Sequence, residues 1–226
     1  MHTISQKSKT PHAYHYAALA VITLIALLLR AYKIGELPTG IYIDEAHKTA
    51  EAIYALATDK REWFYTFHKF GNPGVEGGII NAILYSFKFF GIGLWQLKLP
   101  SILFGTLTPL AVWFLARELF PARPRLALAA AWFAAVSYWS LNFSRIAFRG
   151  IMVAPILACA VALFLRGVRQ RSQLSCALGG LIFGLGFHTY IAYRISPALL
   201  LALIFLLWLA HGTDFMRQAR RSIGLC

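Results

Sequence analysis

Residues 14–29 read YHYAALAVITLIALLL, an apolar run without a charged side chain that leads directly into Arg30-Ala-Tyr-Lys33. A membrane-spanning helix needs about 20 apolar residues, with a range of about 17–25. No small-residue cleavage site of the A-x-A type follows the run, so it predicts a retained span rather than a cleaved signal peptide. We therefore expect a membrane protein whose first span lies near the N-terminus.

The composition supports a membrane protein. Of the 226 residues, 58% are hydrophobic, which exceeds the share of about 45–50% in soluble domains. The formal net charge is +13, but the basic residues cluster between apolar runs as they do in membrane proteins, so we predict no nucleic-acid partner. The spacing of Cys159, Cys176 and Cys226 fits neither a zinc site nor a disulfide framework and indicates small buried side chains.

Five further apolar runs complete a prediction of about six transmembrane helices. We therefore predict an all-α polytopic membrane protein in which residues 1–226 form one transmembrane domain. The further predicted spans are Leu99–Ala116, Leu126–Phe143, Gly150–Leu165, Leu174–Tyr193 and Ile195–His211.

Basic clusters predict the orientation, because positive charge favours the cytoplasmic side. With six spans and a cytoplasmic tail at residues 1–13, every cluster falls inside and residues 31–98 form a long outer loop. A seventh span at Ile79–Phe90 would move three clusters outside, so we predict an amphipathic helix at the outer interface there. The clusters are Lys7 and Lys9; Arg117, Arg123 and Arg125; Arg166, Arg169 and Arg171; and Arg217, Arg220 and Arg221.

The outer loop holds the carboxylate pair Asp44-Glu45. Apolar residues recur at helical spacing after it, which predicts an amphipathic helix from about Asp44. Asp44 is then either an N-cap or a general base at the membrane surface, and the two roles are compatible. Glu45 suits the positive end of the helix dipole.

Three outward arginines, Arg145, Arg149 and Arg194, oppose the inside bias of positive charge. They either snorkel to lipid headgroups and pair with loop carboxylates, or they form a phosphate clamp, because guanidinium matches phosphate bidentately. Glu76 is either a solvated loop carboxylate or a residue that orients a substrate or binds a divalent cation. No histidines stand at metal-ligand spacing, so no metal site is assigned and a divalent cofactor is left open.

These stretches together resemble the N-terminal half of the polyprenyl-phosphate-sugar-dependent glycosyltransferases of the GT-C superfamily. Its relatives are the protein O-mannosyltransferases and the lipid A aminoarabinose transferases. The Asp-Glu pair is the most specific element, and the other matches are mostly hydrophobic. The matching stretches are Tyr42–Ala46, the Gly-Asn-Pro-Gly of residues 71–74 followed by Glu76, Leu97–Gly105, Leu115–Phe120, Ser144-Arg145 and Gly186–Pro197.

The resemblance implies an inverting hexosyl or pentosyl transferase in a plasma membrane of the bacterial inner-membrane type. It would move a sugar from a polyprenyl-phosphate donor to a lipid, glycan or protein acceptor on the outer face. Asp44 matches the family's catalytic acidic residue in the first loop, and Glu45 is its motif neighbour. Glu76 falls where lipid A transferases carry a Glu-Lys pair near the donor phosphate, but Gly77 replaces that lysine. One of the three outward arginines would then supply the missing charge.

Two departures from the family pattern bear on function. The acidic residue that the family carries after its third span is replaced by the stretch Arg149–Met152. Family members are usually much longer, so the chain is expected to correspond to the N-terminal portion of a longer module. The alternatives are a non-catalytic membrane partner or remnant of such an enzyme and, less favoured, a transporter, because the predicted spans are nearly free of the midplane charges that transporters use.

Overall fold

The computed structural model describes residues 12–65 and 75–223, so the predicted cytoplasmic tail with Lys7 and Lys9 and the Gly-Asn-Pro-Gly stretch lie outside the described residues. The described chain is almost entirely helical, which confirms the all-α prediction. Short 3-10 turns occupy Arg149–Met152, Gly186–His188 and Ile191–Ile195. The elements in chain order are α1 His12–Ala31, α2 Ile43–Thr58, β1 Phe64–Tyr65, β2 Val75–Glu76, α3 Gly78–Phe90, α4 Leu94–Leu119, α5 Pro124–Val136, α6 Tyr138–Arg145, α7 Val153–Gln170, α8 Gln173–Leu185 and α9 Ser196–Ile223.

Four helical segments in the described residues are long and apolar enough to cross a membrane, and the α5–α6 pair, bent by 48°, makes a fifth. About six spans were predicted. The difference lies at Leu174–Tyr193, where α8 has 13 residues and gives way to a 3-10 turn at Gly186. The Tyr193 ring folds back onto Gly186 and packs against Phe183 and Phe187, which stops the helix short of a full span.

Arg30, at the end of α1, holds the bend between α5 and α6. Helix α5 ends at Val136, which leaves its last carbonyl groups without hydrogen-bond partners within the helix. Arg30 Nη1 donates to the Ala135 carbonyl at 3.0 Å, and its Nη2 donates to Ser140 Oγ at 2.8 Å on the far side of the break. A fully buried guanidinium thus ties three helix ends together.

Pro100 is accommodated inside α4 by a contact from α3. Proline has no N–H, so the Gln96 carbonyl loses its partner within the helix. The Ser86 hydroxyl of α3 donates to that carbonyl at 2.7 Å. This bond joins α3 to the start of α4, a helix long enough to span a membrane.

The predicted interfacial helix at Ile79–Phe90 exists as α3, but its apolar face packs on protein. Ile79 and Ile83 are fully buried. They form a core with Ala52 and Ala55 of α2, Leu97 of α4 and residues of the turn that follows α6. The segment between α1 and α4 therefore folds as a cap with its own hydrophobic core over one end of the bundle.

A two-stranded antiparallel pairing of β1 with β2 completes this cap, with Phe64 opposite Glu76. Asn81 of α3 connects α3 to β1 and the residues before it. Its side-chain amide donates to the Glu62 carbonyl at 2.8 Å and accepts from the Tyr65 hydroxyl at 2.7 Å. Glu76 lies on β2, and its position is set by the pairing of β2 with β1, which is itself hydrogen-bonded to α3.

Candidate functional site

The first turn of α2 presents Asp44 and Glu45 in different directions. The helix begins one residue earlier than expected, with Tyr42 in extended conformation as its N-cap. Glu45 Oε2 accepts the Tyr42 backbone N–H at 2.9 Å, so Glu45 and not Asp44 satisfies the helix start. The N-cap interpretation of Asp44 is therefore wrong, and its carboxylate, about one-third exposed at 35%, points elsewhere.

Asp44 pairs with Lys48, a residue that the sequence analysis did not single out. Lys48 Nζ donates to Asp44 Oδ2 at 2.7 Å and to the Ala147 carbonyl at 3.1 Å, and it lies 5.9 Å from the centre of the Phe148 ring. The sequence could have indicated this pair, because residues four apart on one helix lie side by side on its surface. The ammonium group is buried, whereas its carboxylate partner reaches the surface.

A second ion pair joins two residues that were predicted separately. Arg149 Nη1 donates to Glu76 Oε2 at 3.1 Å, and both side chains are largely buried. The guanidinium also lies 5.2 Å from the centre of the Tyr190 ring. Glu76 is therefore a buried, paired carboxylate rather than a solvated one.

The two ion pairs line one cleft. Asp44, Lys48, Glu76 and Arg149 surround it, and Ile79 and Ile80 are among its apolar lining residues. The charged groups compensate each other and leave no free volume for a water molecule. To bind in this cleft, an anionic ligand would have to replace the Asp44 or Glu76 carboxylate as the partner of Lys48 or Arg149.

Burial controls the electrostatics of this end of α2. Burial raises the pKa of Glu45, and the Tyr42 N–H and the charges of Lys98 and Lys48 oppose that rise. Burial likewise lowers the pKa of Lys48, and the hydrogen bond to Asp44 counteracts this shift. The Asp44–Lys48 hydrogen bond therefore offsets part of the cost of burying the Lys48 ammonium group.

Arg145 and Arg194 are not at the cleft. Arg145 donates to the carbonyls of Leu29 and Leu37, each at 3.0 Å, and so binds the chain at and beyond the end of α1. Arg194 is exposed on the 3-10 turn that precedes α9. Of the three arginines predicted to face outward, Arg149 is the one that lines the same cleft as Asp44.

Two further observations bear on what the site can bind. No group of three potential metal ligands occurs in the described parts of the chain, and Asp44 and Glu76 each pair with a cation. A cavity of about 630 Å³ between α7, α8 and α9 has only apolar and uncharged lining residues. We therefore place the candidate chemistry at the small charged cleft.

Comparison with known protein families gives one match. A model described as dolichyl-phosphate-mannose-protein mannosyltransferase matches residues 80–220, more than half of the chain. The matched region contains Arg145, Arg149 and Arg194, whereas Asp44, Glu45 and Glu76 precede it. No curated protein matches the chain significantly.

Proposed function

The chain belongs to the dolichyl-phosphate-mannose-protein mannosyltransferase family and is a membrane glycosyltransferase of the GT-C type, and we propose that Asp44 is its general base. In this proposal a sugar leaves a polyprenyl-phosphate donor and passes to a lipid, glycan or protein acceptor at the outer face of a membrane.

One observation carries the proposal: Asp44 is the partly exposed carboxylate of a cleft that also holds two cations. A general base must reach the proton that it abstracts, and the 35% exposure of the Asp44 side chain allows this. Lys48, which is buried beside it, donates a hydrogen bond to its Oδ2 at 2.7 Å and so fixes the carboxylate at the cleft.

The reaction follows from these groups as an inverting displacement. The acceptor hydroxyl or amine attacks the anomeric carbon of the sugar while its proton passes to Asp44. The bond between the anomeric carbon and the phosphate oxygen breaks, and its electron pair leaves with the polyprenyl phosphate. Developing charge on that phosphate is stabilised by a nearby guanidinium.

Arg149 is the guanidinium that we assign to this task. It now pairs with Glu76 at 3.1 Å, and phosphate, which accepts bidentate bonds from arginine, would replace that carboxylate. Glu76 would thus hold Arg149 in place until the donor arrives. Phosphate contacts by Arg145 and Arg194 stay predictions.

The test is Asp44→Asn in membrane vesicles that contain the chain, with labelled polyprenyl-phosphate sugar as donor. We expect transfer to fall by at least the roughly 100-fold that a general base contributes, with insertion into the membrane unchanged. The matched control is Asp59→Asn, because the Asp59 side chain is 86% exposed. Full activity of Asp44→Asn would refute the assignment.

A further inference from the structure

Arg149 uses little of its hydrogen-bonding capacity. A guanidinium carries a planar fork of N–H groups that suits a parallel pair of bonds to a carboxylate or a phosphate. Among the described residues, Arg149 makes one hydrogen bond, from Nη1 to Glu76 Oε2 at 3.1 Å. Its Nε is buried and has no acceptor in the described part of the chain. The ion pair with Glu76 is therefore monodentate.

An aromatic ring lies beside this guanidinium. The guanidinium carbon of Arg149 is 5.2 Å from the centre of the Tyr190 ring, within the distance of about 6 Å over which a ring face attracts a cation. Tyr190 follows the 3-10 turn Gly186–His188 that ends α8, and its backbone is extended. The early end of α8 therefore gives the chain the turn in which Tyr190 meets Arg149.

Two further rings fix the position of Tyr190. The Phe148 ring meets it edge-on, with ring centres 5.4 Å apart and ring planes at 62°. Phe148 in turn packs against Phe143 of α6, with ring centres 4.7 Å apart. Gly150 leaves room for the Phe148 ring, because a Cβ at position 150 would lie 2.6 Å from Phe148 Cε1. The Tyr190 ring thus attracts Arg149 from a defined position.

We propose that Tyr190 is a positioning residue: its ring keeps the Arg149–Glu76 pair monodentate, so that the other N–H groups of the guanidinium stay available for the phosphate of the sugar donor. Without this attraction the guanidinium would turn toward Glu76 and gain a second charge-assisted bond. Phosphate would then compete against a stronger ion pair. The consequence for donor binding rests on the proposed phosphate role of Arg149; the control of the pair geometry does not.

Removal of the ring has opposite effects under positioning and under simple packing. A ring that only covers the ion pair would, when removed, expose the pair to water and weaken it. A ring that restrains Arg149 would, when removed, allow a bidentate and therefore stronger pair with Glu76. The strength of the Glu76–Arg149 interaction thus decides between the two roles.

The first experiment measures this strength without reference to activity. The coupling between Glu76→Gln and Arg149→Met is obtained from unfolding of the full chain in detergent, in wild type and in Tyr190→Leu. In Tyr190→Leu the coupling should increase by about tenfold in the unfolding equilibrium constant, the contribution of one charge-assisted hydrogen bond. Tyr190→Phe keeps the ring and should give the wild-type coupling. An equal or smaller coupling in Tyr190→Leu would overturn the proposal.

The second experiment measures binding of labelled polyprenyl phosphate, without its sugar, to the full chain in vesicles. Tyr190→Leu should raise the Kd by about tenfold, because phosphate must displace a bidentate carboxylate. In a Glu76→Gln background the same change should leave the Kd nearly unaltered, since the competing carboxylate is absent. In sugar transfer, the KM for donor should rise while kcat stays near wild type. An equal loss of affinity in both backgrounds would contradict positioning through Glu76.

Tyr85→Leu is the matched control, because the Tyr85 ring centre lies 5.8 Å from the guanidinium carbon of Arg61 in an exposed contact on α3. It should change neither measurement. Should Tyr190→Leu fail to fold, a ring-fluorinated phenylalanine at position 190 takes its place, with Tyr190→Phe as reference. Fluorination preserves the shape of the ring and weakens its attraction for a cation. Both effects should then appear in the same direction, and their absence would overturn the proposal.

The outcomes separate this proposal from the proposed function. If Arg149→Met binds polyprenyl phosphate as wild type does and the coupling still increases in Tyr190→Leu, the phosphate role of Arg149 is refuted but the restraint by Tyr190 stands. If Arg149→Met binds weakly and Tyr190→Leu leaves both the coupling and the Kd unchanged, the positioning role of Tyr190 is refuted and Arg149 remains the phosphate ligand.

Discussion

At the residue scale, the site consists of two ion pairs, one between residues close in sequence and one between residues far apart. Asp44 and Lys48 are four residues apart on one helix, so their contact can be predicted from the sequence. Glu76 and Arg149 are 73 residues apart, and no local pattern relates them. Glu76 and Arg149 were predicted separately, as a loop carboxylate and as an outward arginine. The sequence indicates the charge of each residue and the side of the membrane on which it is expected, but it does not indicate which residue it pairs with.

The Glu76–Arg149 pair gives a prediction about stability. Either Glu76→Gln or Arg149→Met alone should lower the free energy of unfolding by about 3 kcal/mol, because each leaves a largely buried charge without its partner. The double variant should lose less than the sum of the two. Unfolding in detergent without donor measures this.

The matched control for that cycle is Arg61→Met. Arg61 lies 3.9 Å from Asp59 in an exposed pair, and such pairs contribute roughly 0–1 kcal/mol. Strict additivity of the Glu76 and Arg149 changes would mean that the two side chains do not interact in the membrane-embedded protein.

At the element scale, hydrophobic periodicity located the helices and tertiary contacts set their roles. The pattern of α3 correctly predicted one apolar face. It did not distinguish a face that lies on lipid from one that packs on α2 and α4, since both environments are apolar. The break at Gly186 was missed for a related reason: it depends on Tyr193 packing back on the helix.

Gly77 gives a prediction about the cap. A Cβ at position 77 would clash with the Glu62 and Trp63 carbonyls. The Gly77 backbone N–H donates to the Trp63 carbonyl at 2.7 Å. Gly77→Ala should therefore lower stability by about 1–3 kcal/mol and displace Glu76 from Arg149. Gly35→Ala is the control, because nothing lies within 4 Å of its Cβ position. Equal thermal midpoints and equal sugar transfer in the two variants would contradict this role of Gly77.

At the scale of the whole molecule, one end of the bundle carries the cleft and the other carries basic turns. Asp44 follows α1, and Arg149 follows α6, so the contacts of the cleft bring both chain segments to one end. Arg169 in the last turn of α7 pairs with Glu118 in the last turn of α4 at 2.5 Å. Three spans, namely α4, the α5–α6 pair and α7, lie between Asp59 and Arg169 in the chain. The orientation predicted from the basic clusters places the cleft on the outer side of the membrane.

Cysteine labelling tests this orientation. In a variant whose native cysteines are replaced by serine, Lys60→Cys should react with a membrane-impermeant maleimide in intact cells. Gln170→Cys should react only after permeabilisation. Both positions are exposed in the structure. The reverse pattern would invert the protein in the membrane, and labelling of both sites from outside would contradict the count of three spans between them.

The apolar runs and the basic clusters were sufficient to predict an all-helical membrane protein with a long loop on one side, because burial of apolar surface and the charge bias of membranes act on local composition. The Asp-Glu pair was visible for the same reason, as an amphipathic helix start. The tertiary structure alone showed that Glu45 is the capping carboxylate, that Arg149 and not Arg145 lines the cleft with Asp44, and that Lys98 is fully buried. Compensation of a buried charge depends on the distance between groups in the folded protein, which local sequence patterns do not encode.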